Sequence, residues 1–291
     1  MAEYTLSKDP KWYPWFMISF FGIFFVIFNV SPIFFGTYVA FTEWGIYGDP
    51  EWIGLDNFRE YLEDEYAINA FKNVIFYALI IVPSVTCLAF LAAIFVNKGY
   101  PLSGFCRTMF FAPHIVSATV IGLVWVWILD TDYGMLNNII KHFGISRIPW
   151  LTSMEWSLVG VSIASIWWDF GLAFILYLAA LQDIPKDLIE ASYLDGANRF
   201  QRMIYLLIPL TRPVIAMVIT IQLIATLRIF SQIFVMTDGG PGGSSQSPIH
   251  HIYYTAVQDQ LFGYASAISI ILFLFILTVT LIQRFVIRES K

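Results

Sequence analysis

Two ionisable side chains lie inside long apolar stretches of the sequence, and they are the first candidates for binding chemistry. Asp169 falls near the middle of one apolar run, and Arg228 falls in the outer half of the next. A charged group at mid-bilayer costs roughly 2.5 to 3.5 kcal/mol on insertion scales, so such groups usually face a partner or a wet cavity. At about 1.5 Å per residue the two differ in depth by about 7 Å, so they could also pair with each other.

Aromatic and amide side chains accompany this charged pair along the same two runs. They are Trp167, Trp168, Gln222 and Gln232. Aromatic faces together with convergent planar hydrogen-bonding groups are typical of sites that bind sugars. The sequence therefore predicts a substrate pathway lined by these four residues with Asp169 and Arg228. The alternative for each tryptophan is packing inside a buried helix.

A charged segment, Leu181 to Pro213, separates these two apolar runs. Its apolar residues recur at the spacing of one helix face, and Asp195-Gly196 is a strong turn signal. Pro209 and Pro213 should interrupt the hydrogen-bond ladder just before the next apolar run. The segment therefore predicts a helix, a tight turn and a second helix.

This segment resembles the cytoplasmic signature loop of the permease subunits of binding-protein-dependent ABC importers. The family pattern is Glu-Ala-Ala, three residues, Gly, nine residues, an aliphatic residue, one residue and Leu-Pro. The matching positions in this sequence are Glu190, Ala191, Gly196, Leu206 and Pro209. Ser192 replaces the second alanine, and Ile208 replaces the leucine before the proline.

The resemblance implies that this loop forms a coupling helix, which sits in a groove of an ATPase subunit. The residues that would carry this role are Glu190, Ala191, Ser192, Asp195, Gly196, Ala197 and Pro209. Small residues let another surface approach closely, while the two carboxylates supply polar contacts at the rim. The alternative is a solvated amphipathic loop whose charges only keep it out of the bilayer.

Composition indicates an all-α integral membrane protein. Hydrophobic residues make up 58% of the 291 residues and charged residues only 13%, against roughly 25% charged in soluble domains. The net charge of -5 and the lack of a dense basic cluster argue against nucleic-acid binding. Cys87 and Cys106 are too few for a disulfide framework and are expected to pack as reduced, small apolar residues.

Hydropathy predicts six transmembrane helices in one permease domain, residues 1-291 with a core of about 12-288. The predicted spans are Trp15 to Phe41 with a kink at Pro32, Asn73 to Val96, Thr108 to Leu129, Trp156 to Ala180, Val214 to Met236 and Ala265 to Val286. The coupling loop, 182-212, joins the fourth span to the fifth. The outer loops are 42-72, 130-155 and 237-264, and the Gly-, Ser- and Pro-rich part of the last, Thr237 to Pro248, predicts a flexible loop.

Basic residues predict that both termini are cytoplasmic, because cytoplasmic loops carry an excess of Lys and Arg. The outer loops hold only Arg59, Lys72, Lys141 and Arg147. The cytoplasmic set is Lys8, Lys11, Lys98, Arg107, Lys186, Arg199, Arg202, Arg212, Arg284, Arg288 and Lys291. This distribution places the Glu190 loop in the cytoplasm, independently of the resemblance.

Four further stretches resemble the sugar-type permeases of this family, the maltose and glycerol-phosphate type. They are residues 52-58, 134-151, 237-248 and 263-267. The resemblance implies a multi-pass plasma-membrane (inner-membrane) subunit, of bacterial or archaeal type, that translocates a sugar or oligosaccharide. The partners it implies are a second homologous permease, two ATPase subunits, an extracytoplasmic solute-binding protein and membrane lipid.

No nucleotide-binding, metal-binding or hydrolase motif is found in the sequence, so the chain is expected to bind no cofactor or metal and to catalyse no reaction. ATP and Mg would be used by the partner ATPase. Two alternatives stay open. One is a glycerol-phosphate-type substrate in the same importer class, and the other is an ion-coupled carrier that works alone with Asp169 as its titrating group.

Overall fold

The structure is a computed structural model that describes residues 12-97, 99 and 101-289. Four of the lysines used in the orientation argument, Lys8, Lys11, Lys98 and Lys291, lie outside the described residues, as does the side chain of Arg288. The described chain is helical except for its turns and loops and one antiparallel hairpin of two short strands, β1 (Thr42–Glu43) and β2 (Glu51–Trp52). The hairpin is a small departure from the predicted all-α fold.

Within the described residues, five helical stretches are long and apolar enough to cross a bilayer. They are Trp15–Val39, Glu65–Asn97, Ser157–Gln182, Arg199–Leu227 and Phe262–Phe285. These stretches account for five of the six predicted spans, with shifted ends. The third predicted span corresponds to two helices that make a sixth crossing only if they are counted together.

The first span consists of α1 (Tyr13–Phe25) and α2 (Ser31–Val39), joined by a π-helical turn, Val26–Val30. Pro32 lies in the first turn of α2, where its missing N–H leaves few hydrogen bonds unmade. A π-helical turn lies immediately before Pro32, the residue at which a kink is predicted. After the hairpin, α3 (Asp56–Glu63) leads directly into the longest helix, α4 (Glu65–Asn97).

The core of the bundle lies between α4, α8 (Ser157–Gln182) and α11 (Ile208–Leu227), and α4 packs most extensively against α8. The buried face of α4 carries bulky residues in its middle, Tyr77, Ile81 and Val85, and small residues further along, Ala89 and Ala93. Small residues let helix backbones approach closely inside a membrane, where packing replaces the hydrophobic effect as the force that joins helices. The final helix, α14 (Phe262–Glu289), packs against α2, α3 and α11.

The third predicted span is broken, so the prediction of one helix from Thr108 to Leu129 is wrong. Helices α5 (Ser103–Ile115) and α6 (Ala118–Ile128) meet at an angle of 103°. Pro113 lies near the end of α5, and Val116 takes an extended conformation. The Ser117 hydroxyl then caps α6 by accepting a hydrogen bond from the Val120 N–H at 3.4 Å.

The fifth predicted span also differs from the structure. Its helical run begins at α10 (Arg199–Arg202), passes through a π-helical turn at Met203–Leu207 and ends with α11. The helical run continues through both prolines, because Pro209 lies in the first turn of α11. Pro213 lies inside α11, where its missing N–H leaves one ladder hydrogen bond unmade, as predicted. The run stops at Arg228, which caps α11, and a separate helix α12 (Ser231–Met236) follows.

Two loop segments, one before α8 and one before α14, contain further short helices. Helix α7 (Met135–Lys141) lies in the first segment, and α13 (Pro248–Tyr253) with a π-helical turn, Tyr254–Gln258, lies in the second. Residues Ser245, Ser247 and His250 are fully buried. The glycine-rich stretch predicted as a flexible loop is therefore packed against the bundle.

We expect Gly171→Ala to destabilise the protein, because Gly171 is where α8 meets α5. A methyl group there would lie 2.8 Å from the Phe110 carbonyl oxygen and 3.3 Å from the His114 Cβ. Overpacking of this kind costs about 1 to 3 kcal/mol. The measurement is the apparent melting temperature of the purified protein in detergent. Gly104→Ala on α5, where a methyl group meets no atom within 4 Å, is the matched control and should leave the melting temperature unchanged or raise it.

Candidate functional site

A cavity of about 250 Å³ lies at the middle of α8, between the broken span of α5 and α6 and the end of α11. Ala118, the first residue of α6, borders it on one side, and the break between α11 and α12 borders it on another. The polar and aromatic residues that line it are Trp168, Asp169, Thr226, Arg228, Phe230, Ser231 and Gln232. Interrupted helices at mid-membrane depth are a common way to build a solute site, because they release backbone groups next to side chains.

Asp169 is held inside the bundle at the midpoint of α8, and only 9% of its surface is exposed. Arg228 borders the same cavity but is exposed, because α11 ends there. No ion pair joins the Asp169 carboxylate to the Arg228 guanidinium, although both residues lie within the described part of the chain. Both charged groups are therefore available to a molecule in the cavity.

Trp168 is fixed by the break between α5 and α6. Its indole Nε1–H donates to the Val116 carbonyl oxygen at 3.0 Å, and this carbonyl belongs to the extended residue that ends α5. His114 packs its ring 5.2 Å from the indole, and its Nδ1 lies 3.3 Å from the Trp168 carbonyl oxygen. Since a carbonyl only accepts, the His114 Nδ1 carries the proton. This contact satisfies the His114 imidazole at Nδ1.

Two buried polar atoms beside the cavity have no partner in the structure. The Gln222 Nε2–H donates to the Asp169 carbonyl oxygen at 3.4 Å, which leaves Gln222 Oε1 unpaired. The Thr226 hydroxyl, one turn further along α11, is also unpaired. Because an unmade buried hydrogen bond costs roughly 1 to 3 kcal/mol, these atoms favour a polar molecule or water nearby.

The structure brings most of the predicted pathway residues together. Trp168, Asp169, Arg228 and Gln232 line the cavity, and Gln222 lies directly against the backbone of Asp169. Trp167 is different, because it contributes to a separate apolar groove of about 790 Å³ on the far side of α8, where it packs 5.9 Å from Trp125. Its inclusion in the pathway is not supported by this geometry.

Sequence reasoning missed Thr226, Phe230 and Ser231, because the helix breaks that expose them were not predicted. In the sequence, Pro113 and the capping residue Ser117 indicate the first break. No residue of comparable strength indicates the second break. The cavity offers one carboxylate, one guanidinium, an amide, hydroxyls and aromatic rings. Because one negative and one positive side chain line the cavity, their charges balance. This set therefore suits a neutral solute rich in hydroxyl groups.

The predicted helix, turn and helix of the charged segment are present. Helix α9 (Lys186–Leu194) follows Pro185 and carries Glu190, Ala191 and Ser192. Gly196 has φ +73°, a conformation that favours glycine, and Asn198 with Gln201 forms a capping box that starts α10. Glu190, Ala191, Asp195 and Gly196 are exposed, and Ser192 and Ala197 are half-buried. Pro209 lies in α11, outside this exposed surface.

Comparison with known proteins supports a transport role for this arrangement. A family model described as the binding-protein-dependent transport system inner membrane component matches residues 74–290. The probable ABC transporter permease protein YurN of Bacillus subtilis is 30% identical over 275 residues, which cover 92% of this chain and 93% of that protein. The probable starch degradation products transport system permease protein AmyD of Thermoanaerobacterium thermosulfurigenes is 28% identical, covering 98% and 96%.

A solved structure has the same fold. It is the crystal structure of a bacterial alginate ABC transporter in complex with alginate pentasaccharide-bound periplasmic protein. The TM-score is 0.83 at 25% identity, over 96% of this chain and 95% of that chain.

We expect Trp168→Phe to destabilise the protein, since the Val116 carbonyl would lose its donor. Because the bond lies at an exposed position, its loss is expected to cost about 0.5 to 1.5 kcal/mol. The apparent melting temperature in detergent should fall, and the control Trp127→Phe should leave it unchanged, because the Trp127 side chain is 83% exposed and makes no hydrogen bond. Equal melting temperatures for the two variants would contradict the role assigned to the indole N–H.

Proposed function

Because the chain belongs to the family of binding-protein-dependent transport system inner membrane components, we propose that it is the permease subunit of an ATP-driven sugar or oligosaccharide importer. The observation that carries the proposal is the polar cavity at the middle of α8, bordered by the broken span of α5 and α6 and by the break that follows α11. The cavity gives a hydroxyl-rich solute donors, acceptors and aromatic faces at mid-membrane depth.

The family relatives favour a carbohydrate substrate. AmyD is named for the transport of starch degradation products, and the solved structure contains alginate bound to a periplasmic protein. A glycerol-phosphate-type substrate is less well matched, because the only guanidinium at the cavity, Arg228, is accompanied by the Asp169 carboxylate. A doubly charged phosphate is usually held by an unopposed basic cluster or by backbone N–H groups.

A second, homologous permease subunit is the partner that the isolated chain most needs. Ile115, at the break between α5 and α6, is 74% exposed, and Val116 and Ser117 are exposed as well. Irregular backbone cannot face lipid, because its polar groups would go unsatisfied there. The break must therefore face another protein chain or a water-filled pathway, as it would between two permease subunits.

The exposed α9 surface is the proposed contact with a separate ATPase subunit, which would use ATP and Mg. It lies at one end of the bundle, which we call the α9 end, and the cavity lies in the middle. Because α10, the π-helical turn and α11 form one helical run from Arg199 to Leu227, a rigid movement of α9 can act on the break at Arg228. Coupling of the ATPase to the cavity requires an element with two stable positions. A rigid helical run that joins a docking helix to a helix break is such an element.

We propose a plasma-membrane location with both termini and the α9 end in the cytoplasm. Among the described residues, Arg107, Lys186, Arg199 and Arg202 lie in the segments at the α9 end, whereas the loops at the opposite end carry more acidic than basic side chains. The excess of basic residues on the cytoplasmic side of membrane proteins supports this orientation.

The test is uptake by the complex reconstituted with its second permease, its ATPase and its solute-binding protein. We expect Glu190→Lys to reduce ATP-driven uptake at least about tenfold, because a reversed charge at a docking surface opposes association. Co-purification of the ATPase should fall in parallel. The control Glu155→Lys, a charge reversal at the opposite end of the bundle, should leave co-purification intact.

The same experiment separates the importer from the ion-coupled carrier. A carrier that works alone with Asp169 as its titrating group would sustain uptake without any ATPase. Uptake by the isolated chain, abolished by Asp169→Asn and indifferent to ATP, would overturn the proposal.

A further inference from the structure

A second cavity, of about 540 Å³, lies at the end of the bundle opposite α9. It is enclosed by α3, by the glycine-rich stretch after α12, by α13 and by the start of α14. Among the described residues that line it, four are carboxylates and none is a lysine or arginine. The carboxylates are Glu60, Asp64, Asp238 and Asp259.

Asp64 holds the wall of this cavity together. Its Oδ1 accepts from the backbone N–H groups of Tyr66 and Ala67, and its Oδ2 accepts from the Tyr264 hydroxyl at 2.8 Å and lies 3.1 Å from the His251 Nε2. Burial by itself raises the pKa of Asp64, but these hydrogen bonds outweigh burial and lower the pKa. Asp64 is therefore an ionised residue that is already used by the fold.

Two buried acceptors in the same wall have no donor. The His251 Nε2 faces a carboxylate and so carries the proton, which lets its Nδ1 accept from the Gln246 Nε2–H at 3.4 Å and leaves Gln246 Oε1 unpaired. The His250 Nε2 likewise lies 3.1 Å from the Asp238 carboxylate, so the ring proton is placed on Nε2 and the buried, unpaired Nδ1 is an acceptor. Both orphaned atoms call for a donor.

The Glu60 and Asp259 carboxylates are exposed, and no partner within the described chain compensates their charge. No hydrogen bond or ion pair of the described chain reaches the side chains of Glu60 and Asp259. The pKa of Glu60 is raised by burial, by the Asp64 charge and by the Glu43 charge. Tyrosine rings, including those of Tyr66 and Tyr254, line the same space, and aromatic faces attract cations.

We propose that this cavity receives a cationic side chain, an arginine or a lysine, that the extracytoplasmic solute-binding protein presents when it docks. The inference rests on the proposed function, since it names the contact that this partner makes. A guanidinium or ammonium group supplies donors for the two orphaned acceptors and a counter-charge for Glu60 and Asp259, and arginine adds a planar surface that stacks on tyrosine.

Other ligands fit the cavity less well. A neutral sugar would donate hydrogen bonds but would leave the free carboxylates without a counter-charge. A metal ion would need a convergent set of ligands, and no group of three or more His, Cys, Asp or Glu side chains in the described chain could hold one. An inserted basic side chain meets each requirement, and buried arginine is a frequent anchor of protein interfaces.

The experiment measures the affinity of the purified solute-binding protein for the reconstituted importer, with Glu60→Gln and Asp259→Asn combined in one variant. We expect its Kd to rise at least about tenfold at low salt, with most of the salt dependence of wild-type binding lost. Neither side chain has a partner in the fold, so the variant should remain folded, and its apparent melting temperature checks this. The matched control is Glu155→Gln, a carboxylate at the same end of the bundle that does not line the cavity.

An unchanged Kd for the double variant, or an equal rise for Glu155→Gln, would overturn the inference. It would also be overturned if the importer alone bound the transported sugar and the double variant abolished that binding, since the cavity would then hold solute. A wild-type importer that binds no solute-binding protein would instead overturn the proposed function itself. The two failures are therefore distinguishable.

Discussion

The structure depends on one constraint, that backbone polar groups in a bilayer must find partners within the protein. One span is interrupted between Ile115 and Ala118, and a second helical run ends at Leu227 before α12 begins at Ser231, so each break frees carbonyl and N–H groups. Side chains partner three of these groups. Trp168 donates to the Val116 carbonyl, Ser117 caps α6, and the Ser247 hydroxyl donates to the Ile229 carbonyl at 2.6 Å. The bundle is arranged so that these partners are within reach.

Close helix packing places the two interruptions side by side. Gly171 lets α5 approach α8. On α6, a methyl group added at Gly122 would lie 3.2 Å from the Val235 side chain on α12, so this glycine lets α6 approach α12. Helices α6 and α12 are short, and each packs mainly against the other and less extensively against α8. The cavity therefore owes its shape to small residues on two helices as much as to the polar side chains that line it.

The sequence was sufficient to predict the apolar runs, the helix, turn and helix around Gly196, and four side chains that line the cavity. Hydropathy averages over a window, so it could not separate α5 from α6, whose residues are apolar on both sides of Ser117. It also could not place Arg228 at the end of a helix, because no proline or glycine marks that break. Trp167 and Trp168 are neighbours on α8 that point in different directions, and of the two only Trp168 borders the cavity.

The segment between α11 and α13 connects the two cavities physically. Its first residues, Arg228 to Gln232, line the central cavity, and Asp238 and the following glycines line the outer one. Ser247 returns from the outer cavity to satisfy the Ile229 carbonyl at the break, and the neighbouring His250 is held by Asp238. A shift of the outer segment must therefore either carry Ile229 with it or leave a buried carbonyl unpaired, at a cost of about 1 to 3 kcal/mol. This penalty couples the position of the outer segment to the geometry of the central cavity. The coupling needs no contact between molecules bound in the two cavities.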